Sequence, residues 1–188
     1  MAEDCRHRRV WQRYMDPERF VLLDETGAAT NMIGRYGWGP RGECLVDATP
    51  HGYWRAITFI AGLRSTGLVA PLVLDGPMTG DAFLAYVEQF LVPVLSKGDV
   101  VVLDNLAAHK VAGVREAIRA TGANLLYPPR YSPDLNPIEQ AFAKLKSLLR
   151  KAAARTKEAL WTTIGRLLDA STPAECRNYL TNSGYASE

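Results

Sequence analysis

Three acidic residues, widely separated along the chain, could together bind divalent cations. Asp24 ends a short apolar run, Asp104 directly follows the apolar run VVVL, and Glu139 lies in the first turn of a predicted helix. Hard cations prefer oxygen ligands, and two of them about 3.5–4 Å apart can activate an attacking oxygen and neutralise developing charge in phosphodiester chemistry. Clustered carboxylates repel one another unless a cation lies between them, so their convergence would indicate chemistry rather than stability.

The hydrophobic pattern predicts the elements that would hold these carboxylates. Short apolar and β-branched runs bounded by turn residues predict strands, and apolar residues at helical spacing predict helices. The predicted strands are residues 19–24, 53–62, 68–74, 100–103 and 124–127, with Gly67 in the turn between the second and the third. The predicted helices are one that begins at Thr79 or Asp81, one over residues 109–120 that ends at Gly122, and a helical stretch after the YPPRYSPDLNP loop that is broken near Thr172-Pro173.

Three meander strands followed by helix, strand, helix, strand and helix indicate an α/β protein with a five-stranded mixed sheet flanked by helices. This is the element order of a ribonuclease H-like fold, and its parallel strands would be joined by right-handed crossovers. If the first and fourth strands are neighbours, Asp24 and Asp104 lie side by side, and the last helix can lay Glu139 across them. We expect an N-terminal arm over residues 1–18, the ribonuclease H-like domain over residues 19–152 and a C-terminal helical extension over residues 153–188.

Each acidic residue also has an ordinary structural explanation. Asp24 could be a turn residue at a strand end, and Asp104-Asn105 could form a common turn. Asn136 as N-cap, Pro137 at the first helical position and Glu139 two positions later would make a variant of the capping box. Taken singly, each explanation suffices, but the placement of all three residues on the required elements favours a catalytic site.

The sequence around the carboxylates is more specific than the carboxylates themselves. Residues 24–26 read DET, residues 104–109 read DNLAAH and residues 131–139 read YSPDLNPIE, with a gap of 34 residues (positions 105 to 138) between the second and third acids. In these motifs the chain resembles the DDE transposases of the mariner superfamily, specifically their bacterial insertion-sequence branch. The resemblance runs from about residue 19 to the end of the chain, and the SPDLNPIE block is its strongest part.

The resemblance implies a function, a cofactor and partners. It implies that Asp24, Asp104 and Glu139 bind Mg²⁺ or Mn²⁺ in a two-metal site of a cut-and-paste DNA transposase, whose catalytic domain cleaves transposon ends and joins them to target DNA. The implied partners are double-stranded DNA, as transposon ends and as target, and a second copy of the chain in a homodimer on DNA. Such transposases carry N-terminal helix-turn-helix modules, which residues 1–18 cannot hold, so a separate DNA-binding polypeptide is a further expected partner.

A basic face on the last helix predicts contacts with the DNA backbone. Lys146 and Arg150 follow Glu139 at positions that share one side of the helix, and Lys144 and Lys151 flank them. Such a face beside the carboxylates would bind phosphates, although a solvated helix face is the structural alternative. The opposite, apolar stripe consists of Ile138, Phe142, Leu145 and Leu149.

Two further segments are candidates for DNA contacts. The Gly-rich segment after the first strand carries Arg35, Trp38 and Arg41, which could grip or stack on DNA, although Trp38 could equally pack on the sheet. His109 follows Asp104 at a predicted helix start. It could orient a phosphate or the acidic cluster, or it could be a capping or surface histidine.

Composition narrows the class of protein. The 188 residues suit one domain with an extension, and 22 basic against 20 acidic residues do not by themselves indicate a nucleic-acid partner. Cys5, Cys44 and Cys176 are far apart, which argues against a disulfide framework or a cysteine metal cluster. With a charged N-terminus and no apolar run of about 18 residues, we expect a cytoplasmic protein. The resemblance implies that it is bacterial and associated with the nucleoid.

Two other functions stay open at this point. One is a catalytically silent transposase remnant that acts as a DNA-binding or assembly protein, against which the intact set of three carboxylates argues. The other is a ribonuclease H-like nuclease that acts on RNA or on structured DNA, which the single glutamate on the last helix and the 34-residue gap disfavour.

Overall fold

A computed structural model describes residues 16–34, 39–44, 46, 53–127 and 136–185 of the chain. Within these residues, five strands form one mixed sheet in the order β3-β2-β1-β4-β5. The strands are β1 (Phe20–Ala29), β2 (Ala56–Arg64), β3 (Gly67–Leu74), β4 (Val100–Leu103) and β5 (Asn124–Leu126). The predicted five-stranded sheet with helices on its faces is therefore confirmed.

The central pair of strands is the one on which the site prediction depended. β1 pairs in parallel with β4 and antiparallel with β2, so the first and fourth strands are neighbours, as expected. All four residues of β4 are buried, because helices cover both faces of the sheet at this strand. The register matches Leu23 with Leu103, which makes Asp24 and Asp104 the next residues on adjacent strands.

Several predicted strand boundaries are wrong. β2 runs over Ala56–Arg64 instead of residues 53–62, and β5 ends at Leu126 instead of residue 127. The first strand does not end at Asp24 but continues to Ala29, because the backbone from Thr26 onwards pairs with β2 and Ala29 lies opposite Ala56. Asp24 is therefore in the middle of a long strand. Gly67 belongs to β3 rather than to the turn, which consists of residues 65–66.

The helices differ from prediction mainly at their ends. They are α1 (Gly80–Tyr86), α2 (Val114–Ala120), α3 (Ile138–Ala152), α4 (Lys157–Leu167) and α5 (Pro173–Asn182). Thr79 caps α1 as expected, since its hydroxyl accepts a hydrogen bond from the Ala82 N–H at 3.3 Å. The predicted helix over 109–120 is instead a 3₁₀ turn, Ala107–Lys110, followed by α2. Gly113, with a φ of 96°, separates them in a conformation that a helix cannot continue.

A break that the sequence pattern did not predict separates α3 from α4. Ala153 has a φ of 47°, in the left-handed region where α-helices end. Thr156 then caps α4 by accepting a hydrogen bond from the Ala159 N–H at 3.1 Å. The predicted break near Thr172-Pro173 is confirmed, because Thr172 caps α5 and Pro173 is its first residue.

Two hydrophobic cores lie on opposite faces of the sheet. One contains Leu22 and the apolar stripe of α3, and the other contains Leu23 and the buried residues of α1 and α2. Because side chains alternate along a strand, Asp24 shares the face of α3 and Glu25 shares the face of α1. Alternation in β1 thus places two consecutive acids on two sides of the sheet.

The C-terminal helices pack into the core that contains α3. Ile164 of α4 and Leu180 of α5 are each 1% exposed and belong to the same cluster as the residues of α3. The Phe20 ring at the start of β1 packs edge-on against Tyr185, with ring centroids 4.8 Å apart. In the described part of the chain, no helix has both the length and the apolar character needed to span a membrane.

Gly62 of β2 lies close to the side chains of Val21 and Val69, so replacing it tests how tightly the sheet is packed. A Cβ on Gly62 would lie 2.9 Å from a methyl of Val21 and 3.1 Å from a methyl of Val69, so Gly62→Ala should lower the free energy of unfolding by about 1–3 kcal/mol. A Cβ on Gly27 of β1 would meet no atom within 4 Å, so Gly27→Ala should be neutral or stabilising by up to about 1 kcal/mol. Urea denaturation measures both, and an equal loss in the two variants would contradict the packing.

Candidate active site

Asp24 and Asp104 lie side by side at the centre of the sheet, as predicted. The Asp24 carboxylate accepts two hydrogen bonds, from the Glu25 N–H at 2.7 Å and from the Asn136 side-chain amide at 2.7 Å. Asn136 lies two residues before α3, so this second bond ties the start of α3 to the middle of β1. The contact places the first turn of α3 next to Asp24.

The environment of Asp24 is unfavourable for a negative charge. Burial is the main reason why the pKa of Asp24 rises to about 7, and repulsion from Glu139 and Asp104 raises it further. The hydrogen bond from the Glu25 N–H lowers the pKa; it is weaker than burial but stronger than the repulsion from either carboxylate. Three carboxylates from β1, β4 and α3 therefore interact electrostatically, and a cation among them would relieve the repulsion.

The environment of Asp104 favours its negative charge, in contrast to that of Asp24, because hydrogen-bond donors and a histidine contact it. One carboxylate oxygen accepts a hydrogen bond from the Leu106 N–H at 3.1 Å, and the same oxygen contacts Nδ1 of His109. Burial would raise the pKa of Asp104, but the contact with His109, the hydrogen bond from the Leu106 N–H and the charge of Lys110 together outweigh burial and hold the pKa below its usual value. The approach of Nδ1 is close enough for an ion pair but is not aligned as a hydrogen bond.

His109 is buried between two acidic residues. Its Nε2 lies 2.8 Å from a carboxylate oxygen of Glu25, and its ring packs against Phe83 with centroids 4.2 Å apart. Burial disfavours the charged imidazole, but Asp104 and Glu25 together raise the pKa of His109 to about 9. Only 1% of His109 is exposed, so the prediction that it contacts DNA has to be revised. Its contacts fit the other role considered for it, the orientation of the acidic cluster.

Glu139 is the exposed member of the three carboxylates. It lies in the first turn of α3, which begins at Ile138, so it is the second residue of the helix. The alternative capping box is not formed, because the Asn136 side chain donates to Asp24 instead of capping α3. Glu139 lies near Asp24 and takes no part in a capping box. Its exposed carboxylate could therefore bind a ligand.

The donor set suits a hard divalent cation, although the side chains do not close around one. Carboxylate oxygens are the ligands that Mg²⁺ and Mn²⁺ prefer, and the repulsion felt by Asp24 is what a cation would neutralise. In the described ranges, however, no three acidic, histidine or cysteine side chains converge as ligands of one ion. Asn136 holds one oxygen of Asp24, and a bound cation would have to replace that contact. The contacts of Asp104 with the Leu106 N–H and with His109 are both to one carboxylate oxygen.

The basic face of α3 is only partly as predicted. Lys146 and Arg150 line an open cleft of about 290 Å³, whose floor includes Gly27 of β1. Lys151 is exposed further along the helix. Lys144 is different, because its ammonium contacts both carboxylate oxygens of Glu175, at 2.6 and 2.7 Å. The prediction that Lys144 binds DNA is therefore revised: Lys144 joins α3 to α5.

The remaining predicted DNA contacts lie on the segment between β1 and β2. Arg41 is exposed, in a short described stretch of that segment. Arg35 and Trp38 lie outside the described residues, so the structure does not bear on their role.

Two residues of the site were not singled out by the sequence. Glu25, the middle residue of the DET motif, holds His109, and Asn136 of the SPDLNPIE motif holds Asp24. The signal for Glu25 was its place next to Asp24 in a strand, where alternation sends it to the other face. No local pattern indicated the partner of Asn136, which is distant in sequence.

Solved structures with a similar fold come from DNA recombination proteins. The chain is similar to Mos1 transposase in a paired-end complex with the left transposon end (17% identity, TM-score 0.61, 99% of this chain and 62% of that one). It is also similar to the mariner Mos1 paired-end complex with Mg (16% identity, TM-score 0.70, 99% and 62%). A simian T-cell lymphotropic virus intasome with a PP2A regulatory subunit matches less of the chain (13% identity, TM-score 0.53, 80% and 48%). The fold is therefore ribonuclease H-like.

The chain spans about 62% of the length of the Mos1 transposase chains in these paired-end complexes. No curated protein sequence matches it significantly. The family model of the DDE superfamily endonucleases matches residues 19–161, which include all three carboxylates. The family resemblance in the motifs is thus confirmed, whereas the bacterial insertion-sequence branch stays a prediction. With most of its length matched by that model, the chain belongs to the DDE superfamily endonucleases.

Proposed function

We propose that the chain is the catalytic domain of a cut-and-paste DNA transposase, in which Asp24, Asp104 and Glu139 bind Mg²⁺ or Mn²⁺. The observation that carries the proposal is the convergence of these three positions: β1 pairs with β4 beside Asp24 and Asp104, and the hydrogen bond from Asn136 to Asp24 brings the first turn of α3, with Glu139, next to them. The fold makes these positions neighbours, but it does not require acidic residues there, and repulsion between the carboxylates opposes folding. Such an arrangement is typical of a site that is completed by a ligand.

The proposed reaction is a pair of phosphodiester exchanges. Water attacks a phosphorus atom at the transposon end, a P–O bond breaks, and a free 3′-hydroxyl remains. That hydroxyl then attacks a phosphorus atom of the target DNA, and one P–O bond forms as another breaks. When bound, the divalent cations supply Lewis-acid chemistry and neutralise negative charge on the phosphodiester.

The residues of this chain would divide the work between cation binding and DNA binding. Asp24 lies in β1 and Asp104 directly follows β4, its neighbour in the sheet, so the pairing of these strands would fix the position of the site. Glu139 lies in the exposed first turn of α3 and would complete the site from the face of the sheet that α3 covers. Lys146, Arg150 and Lys151 would bind the DNA backbone along α3.

The partners follow from the same proposal. We propose double-stranded DNA as transposon ends and as target, a homodimer on DNA, and a separate polypeptide or segment that reads the transposon ends. A location at the bacterial nucleoid would follow from a DNA substrate. The paired-end and strand-transfer complexes of Mos1 transposase, which share the fold, support DNA as the substrate.

One observation favours a second candidate, a catalytically silent transposase remnant that acts by binding DNA. Asp24 contacts Asn136, and Asp104 contacts His109. Among the described side chains, no three acidic, histidine or cysteine residues are arranged to bind one ion. A silent protein would keep these internal contacts permanently. The two candidates differ in whether added cations produce DNA cleavage.

A plasmid-nicking assay distinguishes them. The purified chain should convert supercoiled plasmid to open circles with Mg²⁺ or Mn²⁺, and EDTA should stop the conversion. A parallel Glu139→Gln preparation excludes a contaminating nuclease. DNA binding without nicking at any cation concentration would favour the remnant, and preferential cleavage of an RNA–DNA hybrid would favour a ribonuclease H-like nuclease.

A further inference from the structure

One histidine joins two carboxylates across the carboxyl end of the sheet. Nε2 of His109 lies 2.8 Å from Glu25, and Nδ1 contacts Asp104. Glu25 comes from β1 and Asp104 follows β4, so the imidazole bridges the two strands that carry the proposed cation ligands. Both ring nitrogens face carboxylates, and the ring orientation thus depends on both acids.

The imidazole is held firmly in this bridge. The side chain of His109 is 2% exposed, and the ring packs against Phe83 of α1. The backbone carbonyl of His109 accepts a hydrogen bond from the Tyr127 hydroxyl at 3.4 Å. A buried ring with contacts on its face, on both nitrogens and on its backbone has little freedom to rotate.

The exposure of the three side chains decreases from the site towards the interior. The side chain of Asp104 is 34% exposed, that of Glu25 is 18% exposed and that of His109 is 2% exposed. Asp104 is thus the most accessible of the three side chains, Glu25 is partly accessible and the imidazole of His109 is buried. A buried set of charged groups is a poor source of stability compared with apolar residues of similar volume, so its geometry calls for another explanation.

We propose that Glu25 and His109 are positioning residues: Glu25 fixes the imidazole of His109, and the imidazole fixes the carboxylate of Asp104 for cation binding. The inference rests on the proposed function, since it assigns these residues to the cation site of Asp24, Asp104 and Glu139. Neither residue touches the cation or the DNA. Residues that orient a metal ligand from behind typically change metal affinity by about 10–100-fold when they are replaced.

Binding of Mn²⁺ tests this role without relying on activity. Free Mn²⁺ has a strong electron paramagnetic resonance signal that decreases on binding, so a titration gives the affinity of the full chain. Glu25→Ala should weaken Mn²⁺ binding about 10-fold or more. Glu25→Gln should weaken it less, because its amide group can still hydrogen-bond to Nε2. His109→Asn should resemble Glu25→Ala, and adding Glu25→Ala to it should cause little further loss, because both act through Asp104.

A core variant controls for a general loss of stability. Ile118→Val, in the fully buried part of α2, should lower stability by about 0.5–1.5 kcal/mol and leave Mn²⁺ affinity within about twofold of the original chain. If folded Glu25→Ala matches this control in Mn²⁺ affinity, the positioning role is wrong. If Glu25→Ala does not fold, the same comparison is made with Glu25→Gln and His109→Asn, and unchanged affinity in both overturns the inference.

The failure of this inference is distinguishable from the failure of the proposed function. Loss of Mn²⁺ binding in Glu139→Gln, with unchanged binding in Glu25→Ala, would refute only the positioning role. Absence of Mn²⁺ binding in the original chain would refute both. Parallel losses in the Glu25, His109 and Glu139 variants, with the core control unaffected, are the expected result.

Discussion

Replacing Glu139 with glutamine should lower the rate of cation-dependent plasmid nicking by about 10²–10³-fold or more while the fold stays intact. A cation ligand contributes several kcal/mol to the stabilisation of charge in phosphodiester cleavage, and each 1.36 kcal/mol corresponds to a tenfold change in rate. Glutamine keeps the size of the side chain and removes the charge. Initial rates of open-circle formation at saturating Mn²⁺ measure the effect.

We expect Glu139→Gln to lose nicking activity without losing stability. Glu139 is exposed, so the free energy of unfolding should change by no more than about 0.5 kcal/mol. The matched control is Glu158→Gln, which removes an exposed acid from the first turn of α4, and it should nick DNA at the original rate. Equal nicking by the two variants would exclude Glu139 from the reaction.

Replacing Asp24 with asparagine should stabilise the cation-free chain at pH 8 by up to about 4 kcal/mol. The folded pKa of Asp24, about 7, is above the usual value of 3.8, so folding favours the protonated form. The stability that this group contributes is present below pH 3.8 and is lost as the pH rises through 7. Asparagine stays neutral at every pH. Its oxygen can accept the hydrogen bond from the Glu25 N–H, and its NH2 group can donate to the side-chain oxygen of Asn136 once that amide is flipped.

The stability gain should therefore be large at pH 8 and should disappear as the pH falls to about 4. Urea denaturation in a buffer with chelator, repeated across this range, measures it. Asp81→Asn removes an exposed carboxylate from the first turn of α1 and should show no comparable gain. A gain of the same size at pH 4 and pH 8 would mean that titration of Asp24 is not the cause. The same Asp24 variant should lose nicking, so its stability and its activity should move in opposite directions.

The strands and helices with a clear local hydrophobic pattern, either an unbroken apolar run or an apolar stripe at helical spacing, were predictable from the sequence. The run VVVL is β4 at the predicted residues, because a strand between two helical layers must be apolar on both faces. The apolar stripe of α3, with Phe142 and Leu149, is buried as predicted, because helical spacing selects one face. These patterns are local, so a single sequence contains them in full.

The features that depended on distant partners were not predictable. Thr26–Ala29 have the composition of a turn, but they form a strand because β2 provides hydrogen-bond partners. Asn136 satisfies the local rule for an N-cap, but its side-chain amide donates to the carboxyl group of Asp24, which is 112 residues away in sequence. The burial of His109 depends on Phe83 and Glu25, neither of which is near it in sequence.

The side-chain alternation of β1 ties the assembly of the site to correct folding. If β1 slipped by one residue against its neighbours, Leu22 and Leu23 would exchange cores, and Asp24 and Glu25 would exchange faces of the sheet at the same time. A slipped chain would lose both hydrophobic clusters before it could present misplaced acids to DNA. Chains that fold with both cores packed therefore have Asp24 and Glu25 on the correct faces of the sheet. Chains with a slipped β1 should aggregate or be degraded.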